Sequence, residues 1–338
     1  MLPFYHPTTI VALDDDPVFL ESFAFHYGED FICQTFTRPE EAIRFCNERR
    51  DHSDVVRQLF RDDVDVGDAI SVAPGDQVLR VESAGMRTLS SDPGRFEQLS
   101  LLCVDFSMPG LNGIDVCRQL RDHPIRKILL TGKAGDETAV KAFNEGLIDC
   151  FLMKQMADLP RILKREMESL QRSYFTELTR PVEVALSAHR EDFGAHSGLR
   201  SYFLDIFDRR GICEYYRVLN PAGIAMIDDD GAPLFLSVCD EETMRAAEEI
   251  AAGEGAPEVL VRMLASRSIV PIFPQTGIAY GAHVAETWND HVWPAQSVEG
   301  AANEPVLYLS LIDGPAARAM LPANMSSYAD YRDARDPL

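Results

Sequence analysis

At 338 residues, 46% of them hydrophobic, the chain exceeds one ordinary domain and can bury more than one core, so two domains are expected. Its formal net charge is -22, its last lysine is Lys164, and from Ser201 to Leu338 there are 21 acidic residues against 9 arginines. A surface this acidic, with no basic patch, argues against nucleic-acid and anionic-membrane partners. The start "MLPFYHPTTIVAL" has no basic leader and no long apolar core, and no later run approaches the roughly 20 apolar residues of a membrane span, which points to the cytoplasm. Seven scattered cysteines, never in a C-x-x-C pair, read as buried free thiols and not as a disulfide framework or zinc site.

In chain order, "TIVAL" (9–13), "DFICQTF" (30–36), "LSLLCVD" (99–105), "RKILLT" (126–131) and "DCFLMK" (149–154) read as short buried strands. Between them, "DPVFLESFAFHYG", "RPEEAIRFCNERR", "GIDVCRQLRDH" and "DETAVKAFNEG" read as helices. This alternation predicts an α/β domain over residues 1–157, doubly wound, with its parallel sheet covered on both faces. Residues 51–98 interrupt the rhythm between the second helix and third strand. They are acidic, carry the turn signals "APGDQ" and "SDPGR" around the alternating stretch "DQVLRVES", and read as a small hairpin or partly mobile insertion.

Residues 158–180 follow as a helix, with Leu159, Leu163, Met167, Leu170, Tyr174 and Leu178 at helical spacing until Pro181 stops it. That stripe either packs on its own domain or serves as a dimer or signalling helix, so a homodimer through 159–178 stays open. Residues 184–325 are expected to be a second, α+β domain, and 326–338 a frayed tail.

The polar residues at the strand ends carry the chemistry. Asp14 and Asp15 leave the first strand, Asp105 ends the third, Thr131 the fourth and Lys154 the fifth, so all five converge on one edge of the sheet. Three clustered carboxylates oppose one another's ionisation unless a cation joins them, and hard oxygen ligands suit Mg²⁺. A lysine and a hydroxyl beside them suit phosphate oxygens, because phosphoryl transfer needs positioning and charge neutralisation. Asp105 becomes the candidate acceptor. Asp16 suits the cap of a helix that begins at Pro17.

"VALDDDP", "CVDFSMPGLNGID", "ILLTG" and "CFLMK", in this order over residues 9–165, resemble the receiver domain of two-component response regulators. The resemblance implies a flavodoxin-like sheet of order 2-1-3-4-5. It implies that Asp105 takes a phosphoryl group from a sensor histidine kinase or phosphotransfer protein. Asp14, Asp15 and Asp105 would hold Mg²⁺ with the backbone carbonyl of Ser107, while Thr131 and Lys154 would contact the phosphoryl oxygens. Phe151 stands where the family keeps its switch aromatic; Gly132 leaves the site open, and Ser107 and Lys133 stand where receivers tune dephosphorylation. No catalysis beyond the receiver's own phosphorylation and dephosphorylation is implied. The chain departs from the pattern at Gln155, where receivers usually have proline, and in the 90 residues from Asp15 to Asp105, about twice the usual spacing.

The second triplet, Asp228 to Asp230, is followed by Gly231 and a resumed apolar run, a hairpin signature. A calcium loop would need a glutamate where Cys239 stands. His189, His196, His283 and His291 lack metal-ligand spacing. "WNDHVWP" sets Trp288 and Trp293 around Asp290 and His291, as core packing or as the lining of a pocket or partner surface. The expected output is a domain that does not bind DNA and acts by contact with an unknown protein partner or a ligand. The alternatives are a receiver-gated enzyme, a nucleotide-binding module or a phosphate-sink adaptor.

Overall fold

A computed structural model describes residues 1–335 apart from 50–59, 62–68, 73–78, 83–88, 121–123, 133–136, 188–192 and 220. Lys133 and His189 lie outside the described residues. The chain divides into two compact units, one of residues 6–58 and 93–181, the other of 1–5, 59–92 and 182–338.

Strand β1 (Phe4–Tyr5) belongs to the second unit, and the first unit begins with β2 (Thr9–Leu13). Helix Pro17–Tyr27 follows, then β3 (Ile32–Phe36) and helix Pro39–Glu48. Three short strands, β4 (Phe60–Arg61), β5 (Ala69–Val72) and β6 (Leu79–Glu82), form their own antiparallel sheet of order β4-β6-β5 within the second unit. The first unit resumes with β7 (Leu99–Asp105), helix Gly113–Gln119, β8 (Arg126–Thr131), helix Glu137–Asn144 and β9 (Cys150–Met153).

Its five strands are all parallel in the order β3-β2-β7-β8-β9, which is 2-1-3-4-5 when only these strands are numbered. Each is an apolar run because helices cover both faces. Val11, Leu102, Val104 and Leu129 pack on one side with Ile114 and Ala139. Ile10, Leu101, Cys103 and Leu130 pack on the other with Phe23, Leu163 and Met167. None of the cysteines is in a disulfide; Cys46, Cys103, Cys117 and Cys239 are buried while Cys33, Cys150 and Cys213 are half-buried, and burial pushes the thiols of Cys46, Cys117 and Cys239 up to about 12.

The helix expected over 158–180 runs from Leu159 to Ser187, straight through Pro181. A proline inside a helix removes one hydrogen bond and costs about 3 kcal/mol, and the burial of Val182 and Leu186 beyond it offsets that loss. The stripe thought available for a dimer is used within the chain: Leu159, Leu163, Met167, Tyr174 and Leu178 are all buried. A buried relay, Gln171 Nε2 to Thr8 Oγ1 at 2.8 Å and Thr8 Oγ1 to Ser100 Oγ at 2.7 Å, ties the helix to the first unit's sheet.

After helix Ser197–Arg209, the second unit continues with β10 (Ile212–Leu219), β11 (Ala222–Asp228) and β12 (Pro233–Asp240). Helices Glu241–Gly253 and Glu258–Ala265 lead to β13 (Ile269–Pro271), β14 (Val292–Pro294), β15 (Gln296–Val298) and β16 (Leu307–Asp313), then helix Gly314–Met320. The main sheet has six strands in the order β1-β10-β11-β12-β16-β15, antiparallel throughout. Alternate residues such as Ile224, Met226, Leu234, Leu236 and Leu309 face a core shared with Leu199 and Phe203. The second aspartate triplet is a hairpin turn, with Gly231 at φ +82° and Asp228 Oδ1 accepting the Ala232 N–H at 2.7 Å.

Three sequence boundaries need correction. Residues 1–5 do not belong to the first domain, because Phe4 and Tyr5 pair with Tyr216 and Tyr215 of β10. Residues 59–92 group with the second unit and not with the first. The tail is not frayed: Tyr328–Arg335 is a helix, Tyr328 is buried, and its N–H donates to the fully buried carboxylate of Glu214 at 3.1 Å. Among the described residues no helix is long and apolar enough to cross a membrane.

Candidate functional site

A parallel sheet brings all its carboxyl ends to one edge, where strand-to-helix loops splay apart and leave a crevice. At the end of β2, Asp14 is buried while Asp15 is exposed. Asp14 Oδ1 accepts the Asp16 N–H at 3.1 Å, and Asp16 Oδ1 accepts the Val18 N–H at 2.9 Å as the cap of the following helix. The last residue of β7 is Asp105, also buried, whose Oδ2 accepts the Ser107 N–H at 2.8 Å. Each of Asp14, Asp15 and Asp105 offers a carboxylate oxygen, and the three lie within 4.8 Å of one another.

Lys154 enters this cluster just after β9. Its N–H donates to the Thr131 carbonyl at 2.9 Å, which ties it to the end of β8. Its ammonium lies 2.5 Å from Asp14 Oδ2 and 2.6 Å from Asp105 Oδ1. Apart from this ammonium, the buried Asp14 Oδ2 has no further donor among the described residues. Burial opposes the charge on Lys154, but the hydrogen bonds to Asp105 and Asp14 outweigh it and raise its pKa. Burial also raises the Asp14 carboxyl, and the lysine only partly compensates.

Three carboxylates and one ammonium sum to a formal -2, which one divalent cation would balance. The donors are hard oxygens, the chemistry such a cation takes, and the under-solvated Asp14 oxygen shows where added positive charge would be favourable. The residues therefore fit a divalent ion.

Thr131 is buried at the end of β8, and a side chain added at Gly132 would meet nothing within 4 Å, so the crevice is open there. Phe151 is half-buried, packs with the Leu129 core and meets Phe143 edge-to-face at 6.1 Å. The structure thus brings Asp14, Asp15, Asp105 and Lys154 together with Ser107 and Thr131 beside them, and sets Phe151 in the neighbouring core. Sequence reasoning missed Phe19, whose ring lies under the Lys154 ammonium at 4.7 Å. Its one signal is its position in the first turn of the helix that Asp16 caps.

Gly113 shapes the same edge. A Cβ there would stand 2.3 Å from the Asp105 carbonyl oxygen and 2.9 Å from Leu129 Cδ1, so the helix can approach the strand end only as glycine. Gly113→Ala is expected to displace Asp105 and to weaken divalent-ion binding at least about tenfold, a loss near 1.4 kcal/mol. Titration followed by calorimetry checks this, and unchanged affinity would show that the helix yields in place of the strand.

Ser197, His196 and Glu304 lie together in the second unit but form no catalytic triad. His196 Nδ1 accepts the Leu199 N–H, which leaves the proton on Nε2, donated to the Pro305 carbonyl at 2.8 Å. The Ser197 hydroxyl donates to Glu304 at 2.6 Å. These groups cap a helix.

A family model of the response regulator receiver domain matches residues 70–165, a span that includes Asp105, Thr131 and Lys154. The chain is 33% identical over 103 residues to the transcriptional regulatory protein ResD of Bacillus subtilis (strain 168), over 28% of this chain and 42% of ResD. It thus spans less than half of that relative. The solved structure of the Legionella pneumophila response regulator LqsR is similar over 99% of this chain and 96% of that chain, at 25% identity and a TM-score of 0.74. The family model ends at residue 165 and leaves the second domain unassigned. The match, the 2-1-3-4-5 parallel sheet and the acidic edge together establish that this chain carries a CheY-like response regulator receiver domain, the module of two-component signalling.

Proposed function

We propose that Asp105 accepts a phosphoryl group from a phosphohistidine of a sensor kinase or phosphotransfer protein. A carboxylate oxygen of Asp105 attacks phosphorus, the P–N bond breaks, and its electron pair leaves on the imidazole nitrogen, giving an acyl phosphate on this chain. Asp14, Asp15 and Asp105, with the Ser107 backbone carbonyl, are the residues to hold Mg²⁺, which when bound offsets the charge of the phosphoryl oxygens. Lys154 then exchanges a carboxylate partner for a phosphoryl oxygen, the Thr131 hydroxyl follows, and Phe151 turns inward as the adjoining surface changes.

The observation that carries this reading is the Lys154 ammonium bridging Asp14 and Asp105 at 2.5 and 2.6 Å beside a third carboxylate. The acidic second domain, acting in the cytoplasm, is the output, switched by contact with a protein or small ligand and without DNA binding. Its charge supports that reading, because phosphate backbones are repelled.

Incubation with a phosphoramidate donor and Mg²⁺ is expected to add one phosphoryl group to the wild type and none to Asp105→Ala, read by intact mass. A single phosphoryl group retained in Asp105→Ala overturns the assignment.

A further inference from the structure

The second unit contains a cleft of about 410 Å³ between the turn after β13, the "WNDHVWP" segment and helix Gly314–Met320. That volume is ample for a small organic ligand. His291 and the half-buried Trp293 line it, as do Ala316 and Ala319, which lie one helical turn apart and are too small to fill the space. Aromatic rings and small alanines lining one cleft suit a flat ring.

The polar groups at its mouth narrow the chemistry further. Asp290 presents an exposed carboxylate and Gln275 an amide, while among the described residues no lysine or arginine lines the cleft. Gln275 has φ +70° at the tip of a tight turn closed by paired hydrogen bonds between Phe273 and Gly277. A left-handed residue there is ordinarily glycine, so a long amide is held at the rim against local preference. A phosphate or carboxylate would meet Asp290 with no cation to receive it, within a domain already rich in acid.

We infer that this cleft binds a planar nitrogen heteroaromatic, neutral or cationic and without phosphate, stacked on Trp293 with an N–H directed to Asp290. The site is separate from the acidic edge of the receiver sheet, and its occupancy does not depend on Asp105.

The test uses the full chain carrying Trp288→Phe, which leaves Trp293 as the only tryptophan. Adenine, ATP and 1-octanol serve as probes of a flat heterocycle, the same ring with phosphate, and an aliphatic chain. Adenine is expected to quench Trp293 emission with a Kd at or below about 1 mM and to bind more tightly than ATP or octanol. Adding Ala316→Phe, or Ala319→Phe should the first variant not fold, is expected to weaken adenine at least about tenfold. Asp290→Asn is expected to narrow the preference for adenine over ATP. No quenching by adenine, quenching unaffected by the filled slot, or tighter binding of ATP or octanol would each overturn the assignment.

Discussion

Lys154→Met is expected to destabilise the metal-free protein by about 2–3 kcal/mol, below the roughly 3–5 kcal/mol for breaking a fully buried ion pair because part of the lysine stays in water. The change leaves Asp14 and Asp105 buried and facing one another without the ammonium that lies between them. Mg²⁺ is expected to recover more stability in the variant than in the wild type, since lysine and ion compete for the same oxygens. The deficit should also depend on pH. Burial raises the Asp14 carboxyl in the folded protein, so the folded state holds that proton more tightly than the unfolded chain does. Its contribution is therefore favourable at low pH and is lost as pH rises through the raised value. Removing Lys154 strengthens this trend, and the gap between variant and wild type should close as pH falls into the carboxylate range. Urea melts with and without Mg²⁺ at two pH values check both expectations; an equal Mg²⁺ gain in both proteins would show that the lysine does not occupy the ion's place.

Tyr328→Ala is expected to lower stability by about 3–5 kcal/mol, as for truncation of a buried aromatic ring. The ring is buried and begins a helix whose N–H meets Glu214 inside the second unit. Ser91 Oγ, donating to Asn324 Oδ1 at 3.0 Å, fastens the preceding loop to the end of the insertion. Thermal or urea melts decide the matter, and an unchanged midpoint would return the segment to a frayed tail.

The receiver fold was legible because each of its strands is a continuous apolar run ended by a functional polar residue. The edge constellation followed from topology, since parallel strands must bring Asp14, Asp105, Thr131 and Lys154 to one end. What escaped were features set by distant partners. "FY" is too short for any periodicity, and Phe4 and Tyr5 become a strand only through β10. "YADYRDAR" has no apolar stripe and is largely solvated, but its one buried residue, Tyr328, is anchored to Glu214, 114 residues away. Pro181 is a sound stop signal locally, overridden by the apolar residues on both sides of it. Phe19 contributes through its ring face, which no spacing rule records.

The assignment of β1 to the second sheet bears on the order of folding. During synthesis residues 1–5 emerge well before their partner Tyr216, which lies 212 positions after Phe4. Residues 6–58 and 93–181 can collapse on contacts that are already available, whereas the second unit must wait for its far end and bears the loop-closure entropy of joining segments that are distant in sequence. The segments of the receiver thus alternate in sequence with those of the second unit. A fragment cut at residue 182 lacks the segment that pairs with β10 and presents bare backbone hydrogen-bonding groups at that flank, the usual route to strand-mediated self-association. Dissection that respects the fold keeps residues 1–5 and 59–92 with the piece that begins at 182.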